Sequence, residues 1–233
     1  MSKKINIYTT VLGKTKLKYW RYGSRPQLLI HSGTHGDEFE VIHSVEKALR
    51  KYLPLMPDFI FVPHVSPSAV ATHTRVNHLG ADLNRSFFDD ASDPEVLLNQ
   101  RLALKYPTVV NISFHEDPQN SAFYLYEGGA FSLLESTNFI QRLRTSLTAA
   151  NIPLFDGIDD PNDPVLGEKI NHGYFYYLPD PHSKNDGTWA GWGLSHHLFK
   201  RFLIPEIPGK LPQFQKDLIV DLIFQNVLLP LYF

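Results

Sequence analysis

Four polar islands stand at or beside the ends of apolar runs: His35-Gly-Asp-Glu38, Asp82-Leu-Asn-Arg85, His115-Glu-Asp and Pro205-Glu-Ile-Pro208. Between them they offer two imidazoles and a carboxylate suited to a divalent cation, an arginine suited to anions, and a separate carboxylate suited to base work. His35 and Glu38 stand three positions apart at the mouth of a helical pattern. That spacing aims both side chains at one point when the loop turns into the first helical turn. His115 is the natural third ligand, because adjacent strands lie only about 5 Å apart and bring distant residues together at their ends. Hydrolytic zinc commonly takes three protein ligands from His and Glu or Asp and leaves a fourth position for water. Singly, each residue also has an ordinary structural role open to it: Glu38 favours a helix N-terminus, and histidines are common as satisfied polar groups.

The elements that must position these islands follow from hydrophobic spacing. Gln27 to His31 reads as a buried strand feeding a loop, and Phe59 to Val65 and Val109 to Phe114 read as two more. From Glu38 to Leu53, Val41, Ile42, Val45, Ala48, Leu49 and Tyr52 fall on one helical face, and Pro54 stops the helix. Pro94 to Tyr106, Phe131 to Ala150 and Pro212 to Leu228 are predicted helices, with strands at Phe123 to Glu127 and Phe202 to Ile207. Alternation of this kind predicts a three-layer α/β/α sandwich with a mixed, largely parallel central sheet. Such sheets bind ligands at the carboxyl ends of their strands, where three of the four islands fall. Asn151 to Asp186 is predicted to be the longest irregular stretch.

Bulk composition narrows the function classes. With 233 residues, 43% hydrophobic and 20% charged, the chain is an ordinary globular sequence, and a single domain over 1–233 is expected. A formal charge of −2 gives no general reason to bind nucleic acid or acidic membranes. There is no cysteine, so any metal must take nitrogen and oxygen ligands. The charged N-terminus is not followed by an apolar stretch, and no run approaches the length of a membrane span, so a soluble, cytoplasmic protein is expected.

Taken in order, Gly33-Thr-His35-Gly-Asp-Glu38, Ser66-Pro-Ser-Ala69, Arg75, Gly80-Ala-Asp-Leu-Asn84-Arg85, His115-Glu-Asp and Glu206 resemble the zinc carboxypeptidase superfamily. That superfamily includes carboxypeptidase A-like peptidases and the aspartoacylase and succinylglutamate desuccinylase deacylases. The resemblance runs from about Leu28 to Pro208. It implies that His35, Glu38 and His115 bind one zinc ion and that Glu206 is the general base. Arg75 would stabilise the oxyanion, and Asn84 with Arg85 would hold a substrate carboxylate. These roles make physical sense. A cation set against a polarised carbonyl stabilises the developing charge, and an arginine fork beside an amide is a directional carboxylate receptor. Glu206 stands in an otherwise apolar run, where an ionisable group needs a reason. Glu116 and Asp117, beside His115, are expected to support the ligands or cap a helix.

The resemblance is incomplete at the specificity pocket. Its nearest counterpart here is Asp186-Gly-Thr-Trp-Ala-Gly-Trp192, and His182, Ser183 and Lys184 stand where a substrate-contacting tyrosine is expected. Tyr124, Tyr126, Tyr174, Tyr176 and Tyr177 are the other tyrosines within reach. Little more than one helix follows Glu206, whereas the deacylases carry a β-rich domain after it. The expected activity is therefore that of a zinc metallopeptidase of carboxypeptidase type, acting on a small peptide with a free carboxylate. An N-acyl amino acid deacylase and a non-catalytic relative that binds a metal or a carboxylated peptide are the alternatives.

Overall fold

The computed structural model describes residues 4–130, 132–160, 162, 163, 165–178 and 185–232. The chain opens with an antiparallel hairpin of β1 (Ile5–Leu12) and β2 (Thr15–Tyr22). Then come β3 (Leu28–His31), α1 (Glu40–Tyr52), β4 (Phe59–Val62), α2 (Pro67–Thr72), α3 (Pro94–Lys105), β5 (Val110–Ser113), β6 (His115–Asp117) and β7 (Tyr124–Gly129). The second half holds α4 (Leu133–Ser136), α5 (Phe139–Ala149), β8 (Gly157–Ile158), β9 (Lys169–Ile170), β10 (Tyr174–Tyr177), α6 (Trp189–Ser195), β11 (Arg201–Pro208) and α7 (Gln213–Ile223).

The main sheet runs in the order β1-β2-β4-β3-β5-β11-β7-β10, with β6 also paired to β11. Its centre is parallel: β4 to β3, β3 to β5, and β5 and β6 to β11. Antiparallel pairs occur at β1–β2, β2–β4 and β11–β7. The sheet is thus mixed and largely parallel, as the alternating pattern predicts. The central strands β3 and β4 are buried on both faces, which explains why Leu28–Ile30 and Phe59–Val62 read as continuous apolar runs.

Pleating sends alternate residues to opposite layers. Leu28, Ile30, Phe59 and Phe61 pack with Val45 and Leu49 of α1, Leu143 of α5 and Ile219 and Val220 of α7. Leu29, Ile60 and Val62 face Val96 and Leu102 of α3 and Trp189 and Trp192 of α6. These are the two outer layers of the sandwich.

Several expectations need correction. Asn151 to Asp186 is not wholly irregular: it contains the β8–β9 hairpin and β10, which adds to the sheet parallel to β7. The predicted Phe131 to Ala150 helix is two helices, because Asn138 adopts a left-handed conformation (φ 57°) that ends one and starts the next. Pro54 does not end the first helix abruptly, since it sits in a 3-10 turn over Leu53–Leu55. Residue 131, like His182, Ser183 and Lys184, lies outside the described residues.

Candidate active site

The chain leaves β3 at His31 and enters a loop that two glycines allow. Gly33 has φ +62°, and a Cβ there would come within 2.8 Å of the Pro63 carbonyl oxygen. At Gly36 a Cβ would sit 1.9 Å from the Ala69 carbonyl oxygen, so only glycine lets this loop lie against the backbone of α2. The Gly36 amide donates to the Thr74 carbonyl at 2.8 Å and fixes that contact. His35 and Glu38 are thereby delivered inward just before α1 begins.

His115 comes from the other side, at the start of β6. Glu38 lies between the two imidazoles, with Oε1 2.5 Å from His35 Nδ1 and Oε2 2.8 Å from His115 Nδ1. All three side chains are buried, and each offers a ligand atom within 4.8 Å of the others. The far ring nitrogens are gripped from behind: His35 Nε2 lies 3.0 Å from Asp82 Oδ1, and His115 Nε2 lies 3.2 Å from Ser113 Oγ. Both rings therefore turn Nδ1 inward, with the outer nitrogen held by a polar partner, an arrangement that orients metal-binding histidines. Two nitrogens and a carboxylate, converging and buried, fit a divalent ion with an affinity for imidazole.

The surroundings are strongly charged. Burial works against the His35 imidazolium, but the Glu38 charge and hydrogen bonds with Asp82 and Glu38 outweigh it and raise the His35 pKa to about 9. Burial also opposes the Glu38 carboxylate, yet the two imidazoles hold its pKa well below the usual carboxylate range. Asp82, desolvated but bonded to His35 and facing Arg75, is likewise held low.

β11 brings the next group. Glu206 is the register partner of His115 on one side and of Tyr124 on the other. Its carboxylate makes no hydrogen bond among the described residues. Burial, followed by the charges of Glu38 and Asp117, pushes its pKa well above the ordinary glutamate value. Tyr124 donates from its hydroxyl to Asp117 Oδ2 at 2.9 Å.

These residues line a cavity of about 1460 Å³. Phe202 and Ile204, on the Glu206 face of β11, contribute to its wall, as do Tyr126, Phe155, Tyr177 and Trp189. Both arginines named from sequence are there, and each is already paired. Arg75 meets Asp82 through Nε at 3.1 Å and Nη2 at 2.9 Å. Arg85 donates from Nη2 to Asp163 Oδ2 at 2.5 Å and from Nη1 to the Asn84 carbonyl at 2.9 Å. The Asn84 side-chain oxygen accepts from the Trp189 amide at 2.9 Å, tying the Asp-Leu-Asn-Arg turn to the start of α6.

Glu116 accepts from the Val41 amide at 2.5 Å, satisfying one of the unpaired N–H groups at the start of α1. It also accepts from the buried Lys216 ammonium at 2.7 Å, while its own amide donates to Glu38 Oε2 at 3.2 Å. α7 is thus connected through one glutamate to the ligand cluster.

Several polar partners carry no sequence signal. Asp82 was visible only as part of a turn, and its bond to His35 spans 47 positions. Asp163 and Asp159 looked like loop acids; the structure pairs them with Arg85 and with the Tyr126 hydroxyl. Tyr174 and Tyr176 are committed elsewhere, to Glu127 and the Gly129 carbonyl. Trp189 bonds Asn111 at 3.2 Å and Trp192 bonds Asp89 at 3.0 Å, so both are anchored in the α6 layer.

Residues 24–122 match the sequence profile of the succinylglutamate desuccinylase/aspartoacylase catalytic domain. Among solved structures, a provisionally assigned metallopeptidase of Shewanella amazonensis superposes with a TM-score of 0.71 at 21% identity, covering 94% of this chain and 85% of that one. The fold is carboxypeptidase-like. A Pseudomonas aeruginosa metallo-carboxypeptidase in complex with (2-guanidinoethylmercapto)succinic acid gives a TM-score of 0.62 at 18% identity over 97% of this chain and 63% of that one. The murein-tripeptide amidase MpaA of Escherichia coli O157 gives 0.56 at 19% identity over 93% and 91%. No curated protein matches by sequence. Within this fold, the candidate ligand cluster lies at the carboxyl ends of β3 and β5, where α/β sheets place their ligands. No described helix is long and apolar enough to cross a membrane.

Proposed function

We propose that the chain is a zinc-dependent hydrolase that cleaves an amide bond next to a substrate carboxylate. The observation that carries the reading is the convergence of His35, Glu38 and His115 at one point, with the uncommitted Glu206 carboxylate across the ladder from His115.

When bound by these three side chains, zinc would polarise the scissile carbonyl and lower the pKa of an attacking water. Glu206 would take the proton of that water and return it to the leaving amine. Burial raises its pKa in the metal-free site, and a bound cation would draw it back toward the ordinary glutamate range. Arg75 would stand against the charge that develops on the carbonyl oxygen, and its pairing with Asp82 fixes the guanidinium beside His35. Arg85 and the Asn84 amide would seat the substrate carboxylate. Phe202 and Ile204 give the cavity an apolar wall suited to an aromatic or branched terminal side chain.

A single catalytic domain of peptidase type is our first reading. The second is an N-acyl amino acid deacylase, favoured by the desuccinylase/aspartoacylase match over residues 24–122. Metal analysis of the purified protein, with wild type and Glu206→Gln offered both peptides and N-acyl amino acids, separates them. Hydrolysis of peptides alone supports the first reading and of N-acyl amino acids alone the second. A protein that retains no metal, or a variant that works as well as wild type, sinks both.

A further inference from the structure

The two cavity arginines are both paired with carboxylates, but their partners differ in kind. Asp82 is built into the site: besides Arg75 it bonds His35, and it accepts from the Asn84 amide at 2.9 Å within its own turn. Asp163 reaches Arg85 from 78 positions away, out of the chain between β8 and β9. Apart from Arg85, its carboxylate accepts, among the described residues, only from the nearby Val165 amide, at 2.9 Å. Its backbone bonds are also local, to the Asp160 carbonyl and from the Leu166 amide. Neither member of the pair is fully buried, with side-chain exposures of 22% for Arg85 and 18% for Asp163, so water can replace either partner.

The Asp163 carboxylate at Arg85 Nη2 already pairs with the charge that an incoming carboxylate would seek. The other donating terminal nitrogen, Nη1, is turned to the Asn84 carbonyl. Each terminal nitrogen keeps a second N–H, but a substrate carboxylate that uses it must sit beside the Asp163 charge that already neutralises the guanidinium, and two carboxylates on one guanidinium repel each other. Asp163 is the partner held by the fewest other bonds.

We infer, resting on the reading of Arg85 as the seat of the substrate carboxylate, that Asp163 is a built-in competitor for that seat and so sets substrate affinity. The free protein keeps Arg85 oriented and neutralised by Asp163. A substrate carboxylate takes over the Nη2 donor, and Asp163 swings out to solvent, keeping its bond to Val165. Apparent affinity is then the intrinsic affinity reduced by the fraction of molecules in which Arg85 is released. Ligands without a carboxylate do not exchange with Asp163 and gain nothing from its removal.

Asp163→Asn tests this, because the asparagine oxygen can still accept from Val165 while the competing charge is gone. The probe is a dipeptide whose amide is replaced by an uncleavable methylene-amine link, used as the free carboxylate and as its C-terminal carboxamide. Calorimetric titration of the zinc-loaded protein should show the carboxylate form binding Asp163→Asn about three- to thirty-fold more tightly than wild type, the range expected for loss of one charge-assisted bond. The carboxamide should bind both proteins alike. Asp163→Ser, which also removes the charge, should move in the same direction. Unchanged or weaker binding of the carboxylate form in both variants overturns the inference alone, and makes Asp163 an anchor that holds Arg85 ready. A carboxylate probe that binds neither wild type nor variants overturns the reading of Arg85 as well.

Discussion

Glu206 lies directly across from His115 in the parallel pairing of β11 with β6. Because paired residues of neighbouring strands present their side chains on the same face, His115, a candidate ligand, and Glu206, the proposed base, are set side by side by backbone hydrogen bonds. The same residue pairs with Tyr124 on β7. The spacing of Glu206 from His115 is therefore a property of sheet register, far stiffer than loop geometry.

Glu206→Gln keeps the shape and removes the basicity. Hydrolysis should fall by about 10²–10⁴-fold, the usual contribution of a positioned base, while bound metal stays near one ion per chain. Steady-state kinetics beside elemental analysis checks it. Loss of metal together with activity would mean that Glu206 belongs to the ligand set.

Asp82→Asn weakens the group behind His35. Zinc affinity, measured by competition with a chromophoric chelator, should drop about 10- to 100-fold, the typical effect of losing a carboxylate behind a ligand histidine. Ser113→Ala acts on the other imidazole through a longer, neutral contact and should cost less. An equal loss from both would contradict the distinction drawn between the two histidines.

Metal uptake should release a proton. His35, with its pKa raised to about 9 by Glu38 and Asp82 against the pull of burial, is protonated at neutral pH in the metal-free protein and must lose that proton to act as a ligand. Apparent zinc affinity should rise about tenfold per pH unit between about 7 and 9 and then level off. The sign for metal-free stability is opposite. His35 gains its carboxylate partners on folding, so its contribution is complete below its unfolded value of about 6.5 and fades as pH rises through about 9. Titrating zinc in buffers of different ionisation enthalpy counts the proton directly, and a count of zero at pH 7 would refute the assignment.

Lys216→Met should be severe although the residue is remote from the cavity. It strips the buried Glu116 carboxylate of its cation, and an uncompensated buried charge costs about 3–5 kcal/mol. Adding Glu116→Gln should recover much of that loss, because the charge goes with its partner. Denaturant midpoints of the two variants decide it, and a harmless Lys216→Met would show that the pair contributes little to stability.

The ligand candidates were legible because each carries a distinctive residue type at a strand end, and strand ends are fixed by apolar runs that periodicity reveals. Helix α1 was legible for the same reason. The β1–β2 hairpin and α6 were not, since short elements with mixed faces depend on what they pack against. Asp82 as the partner of His35 was out of reach, because the contact is set by where two loops meet. The commitment of Arg85 to Asp163 was hidden more deeply, in a pairing between an arginine and one of several equivalent-looking acids.

The position of β11 in the sheet has a consequence for how the molecule is made. This late strand inserts between β5 and β7, both synthesised well before it. Until it emerges from the ribosome, the two waiting strands present unpaired edges, which are aggregation-prone and natural clients for chaperones. The strand that closes this gap also carries Glu206. With Glu206 as the proposed proton-transfer group, completion of the fold and arrival of that group are one event, so a nascent chain holding both histidines would have no base with which to hydrolyse anything around it.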